Sequence, residues 1–170
     1  MSDPNAPYVA VIGAGEASEP ELAHAEEVGR LLAEAGAILV CGGLGGVMHA
    51  AARGCTRAGG TAVGILPGDD RAPGSPHLTV AISTGLGEAR NAIVVRTVDA
   101  VIAVGGEFGT LSEIGLALRM GKPVVGLRTW SLEKAPGAQD PLLRAGSPAE
   151  AVREALRAAR RTRPAGRPTP

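Results

Sequence analysis

The chain is poor in aromatics, cysteine, lysine and long apolar runs. Aromatic residues make up 2% of its 170 positions and are Tyr8, Phe108 and Trp130. Modules of the RRM or OB type stack bases on several surface aromatics, so a nucleic-acid partner is not expected. The 17 basic residues are balanced by 17 acidic ones, which leaves no overall field to attract a polyanion. Cys41 and Cys55 form no disulfide framework and suit a reducing compartment. No apolar run approaches the roughly 18 residues of a membrane span. Residues Met1 to Pro7 have neither the basic nor the apolar stretch of a secretory signal. The expectation is a cytoplasmic protein with no membrane partner. His24, His49 and His77 are scattered without ligand spacing, and neither a metal nor another cofactor is expected.

What the chain does have is aliphatic residues and glycine. Hydrophobic residues reach 45%, so Val, Ile, Leu and Ala must build the core. Short apolar runs at Tyr8–Ile12, Ala37–Cys41, Thr61–Leu66, Leu78–Ile82, Ala100–Val104 and Pro123–Leu127 read as buried strands. Between them, Pro20–Gly36, Val47–Ala58, Gly87–Val98 and Thr110–Met120 read as helices. The segment Trp130–Gly146 is irregular. Ser147 and Pro148 then look like an N-cap and first position of a last helix running to about Arg161. This alternation predicts a single α/β domain, residues 7–161, with a doubly wound, mainly parallel, Rossmann-like sheet. Residues 162–170, rich in Pro and Arg, are expected to be a disordered tail. In such sheets ligands sit beyond the carboxyl ends of the strands, where the strand order reverses.

The 25 glycines gather at those ends. Gly13-Ala14-Gly15 opens like a dinucleotide fingerprint, but Ser18 replaces its third glycine. No ribose-binding acid ends the second strand, which argues against NAD or FAD. A plain tight turn is the alternative for this loop. Gly42-Gly43-Leu44-Gly45-Gly46, leading to Met48, has more glycine than a turn needs and suits an anion. Gly105-Gly106-Glu107-Phe108-Gly109-Thr110-Leu111-Ser112-Glu113 combines backbone donors, a hydroxyl and a helix start. Glu113 either faces a ligand from that helix or forms a capping box with Thr110. Arg90, next to Asn91, falls in the first turn of a helix, where a cation opposes the dipole. It is either a site residue or a solvated surface arginine.

Taken together, the third loop, Arg90-Asn91 and Gly42 to Met48 resemble the Lonely Guy (LOG) family, once labelled possible lysine decarboxylases. The hallmark is P-G-G-x-G-T-x-x-E with an upstream Arg, and the likeness covers about Val9 to Leu127. Val104 stands at the hallmark proline, Glu107 and Phe108 fill a one-residue gap, and Asn91 replaces a basic residue. These departures resemble a branch that includes nucleotide-binding and molybdenum-cofactor carrier proteins. The resemblance implies a phosphoribohydrolase of nucleoside 5′-monophosphates, of the cytokinin-riboside type, releasing free base and ribose 5-phosphate. It implies Arg90 and Glu113 as catalytic residues. It implies binding of an AMP-like nucleotide by Gly13, Gly15, Gly42, Gly43, Gly45, Gly46, Met48, Asn91, Gly105, Gly106, Gly109 and Thr110. A homo-oligomer is expected. The alternative from another class is a nucleotide or molybdenum-cofactor carrier without turnover. Decarboxylation needs a lysine Schiff base. Lys122 precedes a strand, at the end away from the site, and Lys134 lies in the irregular segment, so that label is rejected.

Overall fold

The computed structural model describes residues 5–162. The elements run β1 (Tyr8–Gly13), α1 (Glu19–Glu34), β2 (Ile38–Cys41), α2 (Gly46–Arg57), β3 (Ala62–Leu66) and β4 (Val80–Ser83). A 3-10 turn, Gly87–Arg90, leads into α3 (Asn91–Thr97). Then follow β5 (Ala100–Val104), α4 (Phe108–Arg119), β6 (Val124–Leu127), β7 (Leu143–Ala145) and α5 (Pro148–Thr162).

All seven strands are parallel, in the order β4-β3-β2-β1-β5-β6-β7. The chain steps outward from β1 to β4, then returns to the other side of β1 as β5. That reversal opens a crevice beyond the ends of β1 and β5, where Gly13 and Val104 lie level. Side chains alternate across the sheet. Val9 and Val11 pack with α1, α2 and α5. Ala10 and Ile12 pack with Val94 and Val95 of α3 and with Ile114 and Ala117 of α4. The doubly wound α/β architecture is thus the one the alternating pattern predicts. No helix among the described residues is long and apolar enough to cross a membrane.

Four details differ from the sequence expectation. The helix expected over Gly87–Val98 is divided, because Gly85 and Gly87 take φ of 64° and 55° and feed a 3-10 turn first. The segment Trp130–Gly146 holds β7, a three-residue, largely exposed edge strand too short to carry a pattern. Helix α4 begins at Phe108, two residues before Thr110, with Glu107 at its N-cap. Thr162 closes α5, its hydroxyl donating to the Ala159 carbonyl at 3.1 Å. The rest of the expected tail, 163–170, lies outside the described residues.

Helices α1 and α2 meet almost backbone to backbone. A Cβ at Gly54 would stand 1.9 Å from the Glu26 carbonyl oxygen, and one at Gly29 2.0 Å from that of Ala51. Gly54→Ala gains helix propensity of about 1 kcal/mol but must push the helices apart. Overpacking costs more than that gain, so the net loss is expected near ~2 kcal/mol, with Tm falling by about 4–8 °C. A melting curve checks it. An unchanged Tm would mean that the helices separate freely.

Candidate functional site

A cleft of about 340 Å³ opens at the β1–β5 crevice. Of the expected site residues, Gly13, Gly15, Met48, Arg90, Asn91, Gly109, Thr110 and Glu113 line it. Gly42, Gly43, Gly45, Gly46, Gly105 and Gly106 are not in its lining. These six shape the walls instead. The Val47 N–H donates to the Ala14 carbonyl at 3.0 Å, tying the second loop to the first. A Cβ at Gly46 would stand 2.2 Å from that same oxygen. The Gly43 carbonyl accepts from the Ser75 N–H at 2.8 Å, which anchors the loop between β3 and β4.

Gly105 and Gly106 turn with φ of 53° and 108°, a region that favours glycine. The Gly105 N–H donates to the Leu127 carbonyl at 3.0 Å. The Gly106 N–H lies beside the Glu21 carboxylate and weakly favours its charged form, and that carboxylate accepts from Ser18 Oγ at 2.7 Å and Ser18 N at 2.8 Å. The Ser18 hydroxyl and amide, with Gly106, hold the Glu21 carboxyl below its usual range. Ser18, where a dinucleotide fingerprint has its third glycine, is therefore the N-cap of α1 and links it to the β5 loop.

With Gly105 and Gly106 engaged inside the protein, the open donors come from the first turn of α4. Leu111 is the first residue there to donate back, to the Glu107 carbonyl at 2.9 Å. The N–H groups of Phe108, Gly109 and Thr110 precede it and have no partner within the helix. The Glu107 side chain does not cap them. Such a helix start attracts an anion. Because Thr110 lies inside the helix, it cannot serve as the N-cap of a capping box with Glu113.

Arg90 ends the 3-10 turn and is only 8% exposed, so it is not a solvated surface arginine. Its Nη1 donates to Asn91 Oδ1 and lies 3.8 Å from Glu113 Oε1, an ion pair too long for a hydrogen bond. Its Nε is buried without a partner. Gly42 makes room for this side chain, since a Cβ there would stand 2.6 Å from Nη2 and 2.7 Å from Met48 Sδ. Burial pushes the Glu113 carboxyl up to about 7, against a smaller downward pull from Arg90. Burial likewise lowers the Arg90 pKa, and Glu113 opposes that. An arginine remains charged at neutral pH while a carboxyl at about 7 is half ionised. The pair is thus net cationic.

Ala14, Leu44, Pro67, Glu88 and Glu107, not expected as site residues from the sequence, also line the cleft. Glu107 carried a signal, because it fills the hallmark's one-residue gap together with Phe108. The described residues contain no group of three or more His, Cys, Asp or Glu side chains able to hold a metal ion. Lys122 donates to the Val98 carbonyl at 2.6 Å, just ahead of β5 and away from the cleft, so no lysine is placed for a Schiff base there.

Known proteins share this architecture. The chain is 47% identical over 120 residues to an uncharacterised protein of Archaeoglobus fulgidus, covering 71% of this chain and 79% of that one. The molybdenum cofactor binding protein of Rippkaea orientalis superposes with a TM-score of 0.83 at 38% identity, over 89% of this chain and 96% of that one. The molybdenum cofactor carrier protein of Chlamydomonas reinhardtii does so with a TM-score of 0.79 at 34% identity, over 91% of this chain and 98% of that one. These neighbours agree with the expected place near the molybdenum-cofactor carriers. The SLOG cluster4 model matches residues 6–152, and the chain belongs to that family.

Proposed function

We propose that the protein is a carrier that holds a phosphorylated cofactor, the molybdenum cofactor, as cargo in the β1–β5 cleft without turning it over. The observation that carries this is a buried cation short of partners. Arg90 has an unpaired Nε, a neutral amide partner in Asn91 and, as its one ion-pair partner among the described residues, a distant, half-ionised carboxyl. Gly109 and Thr110, which carry two of the open amides of the α4 first turn, line the same cleft. Together they suit the phosphate of a ligand. Likeness to two molybdenum-cofactor proteins supports that cargo over other phosphorylated molecules. The test is to expose the purified chain to the cofactor, remove the excess, and measure retained molybdenum and pterin. Stoichiometric retention is expected, and its loss in an Arg90 variant. Retention no better than that of an unrelated protein refutes the carrier.

Glu113 favours a second function, hydrolysis of a nucleoside 5′-monophosphate. A carboxyl at about 7 beside an arginine is poised to steady a ribosyl cation or activate water. Release of adenine from AMP tests that directly.

We also propose a homo-oligomer. Most of the apolar surface of α3 and α4 is used within the chain, where Val94, Val95, Ile114 and Ala117 are buried. Ile93 remains 37% exposed, as do Val80, Ile82 and Leu86 at 45%, 44% and 52%. Light scattering at micromolar concentration is expected to give a dimer or larger. A monomer would remove this assembly.

A further inference from the structure

Glu107 and Phe108 have side chains that the fold does not use. Glu107 is among the residues that line the cleft, and its carboxylate leaves α4 uncapped and has no hydrogen bond or ion pair among the described residues. Phe108 is 78% exposed, the most open of the large apolar side chains. Its ring leans on Trp130 with centroids 5.5 Å apart at 40°. Trp130 Nε1 in turn donates to the Glu107 carbonyl at 3.3 Å. Trp130 therefore braces both neighbours, one by ring contact and one by its backbone. The chain has one Phe and one Trp, and both flank Glu107 just outside the cleft lining while the core is aliphatic.

A ligand with its phosphate on the α4 amides and Arg90 must send its other end away from them. Arg90, which lines the same cleft, is nine-tenths buried with its Nε unpartnered, and independently points to a polar ligand. An exposed aromatic pair offers a flat face to a planar ring. A free carboxylate only accepts, and its two oxygens suit two N–H donors side by side. A fused aminopyrimidinone ring, as in pterins and guanine, presents a ring N–H next to an exocyclic amine. Adenine presents a ring acceptor beside its amine, which sets lone pair against lone pair.

We infer that Glu107, with the Phe108–Trp130 pair as the flat face, selects ligands carrying a fused aminopyrimidinone ring over adenine-type ligands. This rests on the anion site proposed above.

The whole chain is titrated with GMP, IMP and AMP, following fluorescence of its single tryptophan and heat of binding. GMP is expected to bind about tenfold tighter than AMP, the order of discrimination of a bidentate pair. IMP, lacking the exocyclic amine, should fall between. Glu107→Gln should bring GMP and AMP to within about twofold through lost GMP affinity. Phe108→Ala should weaken all three together. Glu88→Gln, the other exposed carboxylate of the lining, should move all three alike. A pterin phosphate run beside GMP tells which source of the ring is preferred. Equal binding of GMP and AMP, no binding of any nucleotide, or a preference that survives Glu107→Gln overturns the inference. If the protein retains the molybdenum cofactor but does not discriminate, only the ring selection fails. If it prefers GMP through Glu107 but never retains the cofactor, only the carrier function fails.

Discussion

Arg90→Met is expected to weaken binding of a phosphorylated ligand by about a hundredfold, the scale of losing one partner of a buried charged contact. Met keeps much of the length of the side chain and removes the fork of donors. Binding is lost because the guanidinium is the buried cation of the cleft, held there by Asn91 and by the space at Gly42. Stability should not follow affinity. Taking the Arg90 charge out of water is costly, as its lowered pKa indicates, and Glu113 sits too far off to offset it by hydrogen bonding. Without the cation, Glu113 keeps its proton at neutral pH and leaves no buried charge behind. The Tm should therefore hold or rise by a few degrees while affinity collapses. Gly42→Ala supplies a check from outside the lining. Its Cβ would displace the guanidinium and cost affinity without touching the ligand. Calorimetric titration with GMP and with inorganic phosphate, beside melting curves, reads both effects. Affinity within threefold of the unmodified protein would remove Arg90 from the site.

The sequence already carried the strands, the crevice and the Arg90–Glu113 pair, for physical reasons. Buried parallel strands read as apolar runs, as Ala100–Val104 does, and glycines mark their ends. Arg90 was legible because a cation at a helix start breaks a local rule, and burial accounts for the breach. Less visible was which groups spend their hydrogen bonds where. The Gly105 and Gly106 amides look like ligand donors in the sequence, yet the Leu127 carbonyl takes the first and the second lies beside the Glu21 carboxylate. Those partners are about 20 and 85 residues distant in the sequence, beyond any local pattern. The early start of α4 was equally hidden, since Gly109 is a poor helix former and Thr110 a plausible cap. Glu107 needed both facts. Only with the helix begun at Phe108 does Glu107 fall at the N-cap, its carboxylate unpaired and the residue part of the cleft lining.

Glu113→Gln should separate carrier from hydrolase and should also change how stability and binding depend on pH. The Glu113 carboxyl titrates at about 7 in the folded chain against an ordinary 4.5. Between those values the folded state holds a proton that the unfolded chain has released, so stability falls as pH rises. The penalty is complete above pH ~7 and is roughly 3 kcal/mol at most. Gln carries no charge at any of these pH values. The variant should melt with the unmodified protein near pH ~4.5 and several degrees above it near pH ~8. Ligand binding follows the same charge. In the unmodified protein, affinity for a phosphorylated ligand should fall several-fold from pH ~6 to ~8 as Glu113 ionises beside the anion. Glu113→Gln should flatten that slope and bind better at the alkaline end. A carrier needs nothing more from this residue, so cofactor retention should survive the change or improve. A hydrolase loses its charged group at the ribosyl cation, and base release from AMP should drop by about a hundredfold or more with binding preserved. Adenine release that is measurable in the unmodified protein and lost in the variant would establish the hydrolase. Retained molybdenum cofactor in both, with no base release from either, would establish the carrier. A pH-independent Tm difference between the two proteins would show that Glu113 does not titrate in this range.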